Sequence, residues 1–367
     1  MATAFLISVG AMCGLAVFLA VLMVIADLTV GNYGDITITV NDSKKMEVPG
    51  GRPLLSTLMG EKLFIPSACG GRGSCGFCKV RVTSDVGDYL ATELPWITEE
   101  ERKQNVRLSC QIKAKKDLAI WIPEELFNVK EYRTRVERIR DLTYDIKEIT
   151  LRLLDPGEIS FRAGQYIQFQ VPEYELSSES VYRAYSCASS PSRKDAVELE
   201  IRLVPNGICT TYVFQHLKEG QEVTLNGPYG EFFLRDTERE IVFIAGGSGM
   251  APIKSILHHM AETGVDRKAT YFFGARAVRD LFLVEEMREL EKKLPRFRFV
   301  PALSAPEPDD GWKGETGLIT EVLDRHLQGG ENVEAYLCGS PGMIDASVAV
   351  LTKKGIPQEL IYYDKFA

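Results

Sequence analysis

The sequence predicts a multidomain protein of mixed α+β and α/β class, on three observations. Residues 1–26 carry no charged side chain, four of the eight cysteines fall within residues 69–110, and short turn-separated segments give way after residue 240 to alternating strands and helices. Each points to a separately built piece, and 367 residues exceed one typical domain. The expected divisions are 1–30, 31–126, 127–235 and 236–367. The net charge of −8, with no large Lys/Arg block, excludes a nucleic-acid partner.

The first segment reads as a retained membrane helix over residues 4–25. About twenty apolar residues cross a bilayer core as a helix. A cleaved signal would show a basic start and a shorter apolar run. The first basic residues, Lys44, Lys45 and Arg52, follow the run, which places the remainder on the cytoplasmic side of an inner (plasma) membrane. That compartment keeps thiols reduced.

In residues 31–126, Asp35–Val40 and Met46–Val48 alternate as an opening hairpin, and Pro53–Met59 has helical spacing. A loop then carries Cys69, Cys75 and Cys78 at C-x5-C-x2-C spacing, and Cys110 follows after 31 residues. Four thiolates, two per iron, are what a [2Fe–2S] cluster needs, and three from one loop with one distant ligand suits it. Gly70, Gly71, Gly73 and Gly76 allow the loop to wrap closely. A four-cysteine zinc site is the rival, but it usually shows two CxxC pairs and only one is present. His216, His258, His259 and His326 have no metal-ligand spacing and read as ordinary histidines.

Residues 127–235 contain strand-like runs at 133–140, 146–154, 166–171, 197–203 and 222–225, the pitch of an antiparallel barrel. Arg183-Ala-Tyr185-Ser186 and Gly207-Ile-Cys-Thr210 stand within it. They resemble the RxYS and GxxS/T motifs of the ferredoxin-reductase family, and the resemblance implies a flavin site, in which Arg183 can pair with a pyrophosphate, Tyr185 can stack on the isoalloxazine, and Ser186 can hydrogen-bond near its N5. Gly207 and Thr210 are expected to open a helix over 211–217 whose first N–H groups suit a phosphate. Gly227-Pro-Tyr-Gly230 reads as a terminal turn. Cys187 and Cys209 read as small buried apolar residues.

The last segment has the apolar run Ile241–Ala245, then Gly246-Gly247-Ser248-Gly249-Met-Ala-Pro252, then a helix from Ile253. A glycine-rich strand-to-helix turn lets backbone approach a pyrophosphate. Strands at 270–273, 297–302 and 335–338 alternate with helices at 285–293, 320–326 and 340–353, as in a Rossmann-like parallel sheet.

These motifs carry a resemblance. The cysteine-rich segment resembles the β-grasp [2Fe–2S] ferredoxins, with one loop residue more than the plant type. RAYS, GICT, GGSGMAP, Phe273-Gly-Ala-Arg276 and Leu337-Cys-Gly-Ser-Pro341 stand in the order of the ferredoxin-reductase family. With the N-terminal helix, the whole resembles the F-subunit family of the Na+-translocating NADH:quinone oxidoreductases, although the chain is shorter between Tyr166 and Arg183 than their better-known members. The resemblance implies FAD, a [2Fe–2S] cluster and NADH, with Cys338 beside the nicotinamide and Phe366 covering the flavin. Ser186, Cys338 and Phe366 would then serve hydride transfer. NADH is expected rather than NADPH, because Asp280 opposes a 2′-phosphate that Arg276 and Arg279 could grip. Electrons would pass singly to the cluster and on to integral membrane subunits and, indirectly, a quinone. An oxygenase reductase shares the three modules; the N-terminal helix and the longer cysteine loop count against it. A non-catalytic electron-transfer or interaction subunit is opposed by the intact nucleotide motifs.

Overall fold

The computed structural model describes residues 2–29 and 33–366, and in the first helix the side chains of 9–23. That helix, α1, spans Ala2–Thr29. Its described side chains are exposed, among them Met12, Leu15, Phe18 and Met23. The expected membrane segment 4–25 extends outside the residues with described side chains. Among the described residues no helix is long and apolar enough to cross a membrane.

The chain divides into two compact units, one of Met1–Pro66 and Gly71–Asn128 and one of Val129–Ala367 together with the short segment Ser67–Gly70. The first unit holds a five-stranded sheet. Its strands are β1 (Asp35–Val40), β2 (Lys44–Pro49), β3 (Lys79–Val82), β4 (Val106–Leu108) and β5 (Leu118–Trp121), in the order β2-β1-β5-β3-β4. The hairpin β1–β2 is antiparallel, whereas β1 and β5 run parallel. This β-grasp layout packs helix α2 (Leu54–Gly60) over Ile38, Val40, Val80 and Ile120, because alternate residues of each short strand face one side. Helix α3 (Glu99–Lys103) opens on a capping box between Thr98 and Glu101. The strands β3, β4 and β5 have no counterpart in the sequence pattern; they are three or four residues long, too short for alternation to register.

A buried ion pair joins β4 to the loop before α3. Glu93 is fully buried and accepts from Arg107 Nε at 2.9 Å and Nη2 at 2.7 Å, and from the Leu90 and Leu108 amides. Burial works to raise its pKa, but the guanidinium and the two amides outweigh it and hold the carboxyl below its ordinary range. The pair ties the loop at 87–93 to β4.

In the second unit, β6 (Lys130–Asp141), β7 (Ile146–Asp155), β8 (Tyr166–Val171), β9 (Val181–Ser186), β10 (Ala196–Arg202) and β11 (Glu222–Tyr229) form an antiparallel sheet in the order β10-β7-β6-β11-β8-β9. A bridge between Cys187 and Leu199 brings its two edges together, giving a nearly closed barrel. One strand was not expected, and one expectation is corrected. The RAYS motif lies on strand β9, which its mixed polarity concealed. Gly227-Pro-Tyr229 belongs to β11, at an irregularity in its pairing with β8, rather than ending the barrel as a turn.

The same unit continues into a parallel sheet of β12 (Glu240–Gly246), β13 (Ala269–Ala275), β14 (Phe297–Leu303), β15 (Glu315–Thr316), β16 (Val333–Gly339) and β17 (Ile361–Lys365), in the order β15-β14-β13-β12-β16-β17. Beyond the barrel helix α4 (Ile208–Gln215), helices α5 (Met250–Thr263), α6 (Val284–Lys293), α7 (Ile319–His326) and α8 (Pro341–Lys353) cover both faces of this sheet. That burial explains continuous apolar runs such as Ile241–Ala245.

Removing one partner of a buried pair leaves an uncompensated charge, so Arg107→Ala is expected to lower the stability of the first unit by about 3–5 kcal/mol. Urea unfolding followed by the fluorescence of Trp96 and Trp121 checks this. A loss below about 1 kcal/mol would show the pair to be dispensable.

Candidate functional site: a nucleotide cleft and a cysteine loop

The nucleotide end of the second unit is built on one steric fact. Gly249, ahead of α5, lies so near the end of β16 that an added Cβ would meet the carbonyl oxygen of Cys338 and stand 2.7 Å from its carbonyl carbon. Without a side chain there, the first turn of α5 and its free N–H groups reach the sheet edge. Gly246 ends β12 beside the Gly274 carbonyl, and Gly247 has φ +56°. The three motif glycines therefore form a cradle at the carboxyl ends of β12 and β16, the position at which open α/β sheets bind ligands.

Cys338 sits at that edge, fully buried, and burial pushes its thiol well above the ordinary range. Its register partner on β17 is Asp364, whose carboxyl burial pushes up to about 6. The Phe366 amide donates to the Gly339 carbonyl at 2.9 Å, and its half-buried ring packs on the core that contains Cys338. The structure thus brings Gly249, Cys338 and Phe366 together.

On the barrel, Ser186 ends β9 with its hydroxyl buried and without a hydrogen-bond partner. Tyr185 stands edge-on to Phe169 at 6.5 Å between ring centres, and burial, with Cys209 beside it, pushes its phenol well up. Arg183 donates to the Tyr182 carbonyl at 2.8 Å and packs against Gly70, within the same compact unit. The expected helix at 211–217 begins earlier, at Ile208, with Gly207 as its N-cap residue. Thr210 therefore lies in the first turn, where its hydroxyl closes the preceding loop through Val204 and Gly207. A Cβ at Gly207 would meet Thr210 Oγ1 at 2.6 Å, which accounts for the glycine. Cys187 and Cys209 are buried in the barrel core.

A cluster of charges missed from the sequence lies between barrel and parallel sheet. Lys254, on the second turn of α5, is buried with its Nζ 2.9 Å from Glu148, 3.4 Å from Glu198 and 3.7 Å from Glu200. Glu200 is fully buried, neither of its oxygens has a hydrogen-bond partner, and burial pushes its carboxyl up to about 8. The run Val197-Glu-Leu-Glu-Ile201 reads as a strand with a solvated charged face. No local signal announces that α5 covers it.

In the first unit, Cys78 and Cys110 are brought together: each thiol is the other's close neighbour, and the pairing with Cys110, reinforced by burial, pushes the Cys78 thiol far up. Gln111 Nε2 lies 3.4 Å from Cys110 Sγ. Cys75 is half-buried in the same loop, and Cys69 lies in the segment that packs with the second unit. Among the described residues no three His, Cys, Asp or Glu side chains converge on a single-metal site. The four thiols are nonetheless the donor set a two-iron cluster takes, two per iron. Gly70, Gly71, Gly73 and Gly76 all have positive φ, and a Cβ at Gly71 would lie 3.8 Å from that of Cys110. The loop accommodates such a group; bulkier residues would not. The unpartnered Ser186 hydroxyl likewise suits a flavin, whose ring nitrogen would supply the missing partner.

These features define the class of flavin-linked, iron–sulfur-containing nicotinamide oxidoreductases. Family models agree in three parts: 2Fe-2S iron-sulfur cluster binding domain over residues 38–115, oxidoreductase FAD-binding domain over 133–234 and oxidoreductase NAD-binding domain over 243–349. The chain is 38% identical to the F subunit of the Na(+)-translocating NADH-quinone reductase of Neisseria gonorrhoeae, over 95% of this chain and 96% of that one. For the corresponding protein of Actinobacillus succinogenes the identity is 38%, over 99% and 98%, and for that of Pseudomonas aeruginosa 37%, over 98% of each. The chain belongs to the family of Na(+)-translocating NADH-quinone reductase F subunits. Among solved structures it is similar to the Amycolatopsis cytochrome P450 reductase GcoB (TM-score 0.73, 26% identity, 90% of this chain and 98% of that one). A second is the ferredoxin reductase of carbazole 1,9a-dioxygenase (TM-score 0.69, 26% identity, 91% and 99%).

Because the folded Glu200 binds its proton up to about pH 8 while the unfolded chain releases it near the ordinary 4.5, the folded state carries the extra proton between these values. Its stabilising contribution is complete below the lower value and is lost as pH rises through the upper one, at up to about 1.4 kcal/mol per pH unit. Urea unfolding between pH 5 and 8 should show this decline, and Glu200→Gln should flatten it. An unchanged slope in the variant would assign the decline to other groups.

Proposed function

We propose that this chain is the NADH-oxidising, electron-input subunit of a membrane respiratory complex that passes electrons toward quinone and translocates Na+. The observation that carries this reading is the pairing, in one compact unit, of an orphaned buried Ser186 hydroxyl on the barrel with the Gly249–Cys338 cradle on the parallel sheet. When bound, FAD accepts a hydride and gives electrons up singly, and a [2Fe–2S] cluster accepts them one at a time.

The chain's own residues supply the placement. Arg183, Tyr185, Gly207 and Thr210 hold the flavin, Ser186 orients its reactive edge, and Gly246, Gly247 and Gly249 admit the dinucleotide pyrophosphate. Cys338 positions the nicotinamide, and Phe366 shields the site from water until NADH arrives. Cys69, Cys75, Cys78 and Cys110 hold the cluster. The helix α1 anchors the protein in the inner membrane with both units cytoplasmic; residues 1–26 contain no charge that could serve an ion path, so the ion passes through integral membrane partner subunits. The likeness to a cytochrome P450 reductase and to the ferredoxin reductase of a carbazole dioxygenase supports one rival, the reductase component of an oxygenase with a soluble acceptor protein in place of membrane partners.

The detergent-purified chain is expected to contain FAD and iron, and NADH should bleach its flavin in a single turnover. Cys69→Ser should abolish the cluster's paramagnetic signal while flavin reduction by NADH persists. Zinc in place of iron, or loss of flavin reduction in that variant, would reject the proposed electron order. Recovery from membranes with integral subunits decides for the respiratory reading, and recovery in the soluble fraction decides for the rival.

A further inference from the structure

In the first unit, the side-chain amide of Gln111 has its two ends committed to different partners. Nε2 donates to Cys110 Sγ at 3.4 Å, and Oε1 accepts from the Thr92 hydroxyl at 2.8 Å. The two contacts fix which way the amide points. A metal-bound cysteine sulfur only accepts, so the NH2 end has to face it, and the oxygen end then needs a donor, which the Thr92 hydroxyl supplies. Room for the amide comes from Gly73 in the cysteine loop, at φ +73°, where an added Cβ would stand 2.8 Å from Gln111 Nε2 and 2.9 Å from its Cδ.

Thr92 is itself held in place. It precedes Glu93, which is fully buried and accepts from Arg107 Nη2 at 2.7 Å and from the Leu108 amide at 3.1 Å. The backbone N–H of Gln111 in turn donates to the Leu108 carbonyl at 2.9 Å. Leu108 is therefore bonded both to the residue next to Thr92 and to Gln111, so the hydroxyl that anchors the amide and the sulfur that receives its N–H belong to one frame. Cys110 is 8% exposed and its neighbour Cys78 1%. With so little water near these sulfurs, a single hydrogen bond to one of them carries more weight than it would at the surface.

We propose that Gln111, anchored by Thr92, sets the reduction potential of the [2Fe–2S] cluster by donating to the Cys110 sulfur. One electron leaves the reduced flavin and one arrives at the cluster, which becomes more negative by a single charge. An N–H aimed at a ligand sulfur stabilises the more negative form over the less negative one, so it raises the potential and favours the electron's passage from flavin to cluster. Gln111 is a positioning residue in this scheme: it moves no proton and makes no covalent bond. A side chain that only filled space beside Gly73 would be replaced by leucine without consequence for the potential. The inference rests on the cluster reading above and deepens it.

The test is a redox titration with dithionite of the full chain, loaded with cluster and flavin, followed by the paramagnetic signal of the reduced cluster. Gln111→Leu keeps the bulk and removes the donor. At a fixed potential its ratio of reduced to oxidised cluster should fall about tenfold, which for one electron is a midpoint lower by about 59 mV, while the flavin midpoint stays in place. Thr92→Val keeps the shape but releases the amide, and should lower the ratio about threefold. Thr92→Ser returns the hydroxyl and should restore the wild-type value. Should Gln111→Leu fail to assemble a cluster, the two Thr92 variants carry the test. A ratio that changes less than about twofold in Gln111→Leu, or that Thr92→Val and Thr92→Ser shift alike, overturns the role of Gln111. A loaded wild-type chain without the paramagnetic signal overturns the cluster reading instead.

Discussion

The chemistry of the second unit depends on the missing side chain at position 249. Helix α5 approaches the end of β16 closely enough that its N-terminal turn and the Cys338 backbone touch, and any Cβ would separate them. From that contact the rest follows in order. The amide cradle opens beside Cys338, β17 brings Phe366 back to Gly339, and the second turn of α5 is driven into the barrel, where Lys254 has no access to water. A lysine in that position is tolerable only with carboxylates around it, so β7 and β10 present Glu148, Glu198 and Glu200. The close approach at Gly249 thus comes together with a buried ionic cluster on the next turn of the same helix.

How much of this was legible depends on whether the signal was local. The cysteine loop, the glycine turn and the apolar runs of the parallel sheet are local: spacing, absent side chains and burial on both faces are written in consecutive residues. The strand Tyr166–Val171 and the helix ending at His326 fall where the pattern puts them. Strand β9 was not legible, because Val181-Tyr-Arg-Ala-Tyr-Ser186 is half-buried along most of its length and shows no alternation. Nor was the role of Gly227-Pro228, where turn-forming residues serve an irregular strand instead. The Glu93–Arg107 and Glu200–Lys254 pairs were invisible for a deeper reason. A charged residue reads as solvated, and only tertiary packing reveals that a second element covers it.

The first unit raises a different demand. Its sheet is small, and its cysteine loop folds on glycines with positive φ, each of which loses more freedom on folding than any other residue. Such a loop is weakly self-supporting. The buried Glu93–Arg107 pair, the capping box of α3 and the apolar contacts of α2 stabilise this unit, so Cys75, Cys78 and Cys110 hang from a frame that does not itself depend on them. Pairing of Cys78 with Cys110 raises the proton affinity of Cys78, since a thiolate there would be both buried and beside another sulfur. Iron held by these sulfurs would relieve that condition, taking the place of the protons and stabilising thiolates that the metal-free protein disfavours.

The apolar helix α1 follows the same logic in reverse. Between Val9 and Met23 its described side chains are exposed, Met12 and Met23 by 72% and 75%. Apolar surface left in water costs about 25 cal/mol per Å2, and a helix with no polar face cannot turn that surface away from solvent by rotation. Under the membrane reading proposed above, a bilayer would cover that surface over the full circumference, whereas a partner helix packed at Gly10 and Gly14 would cover one side only.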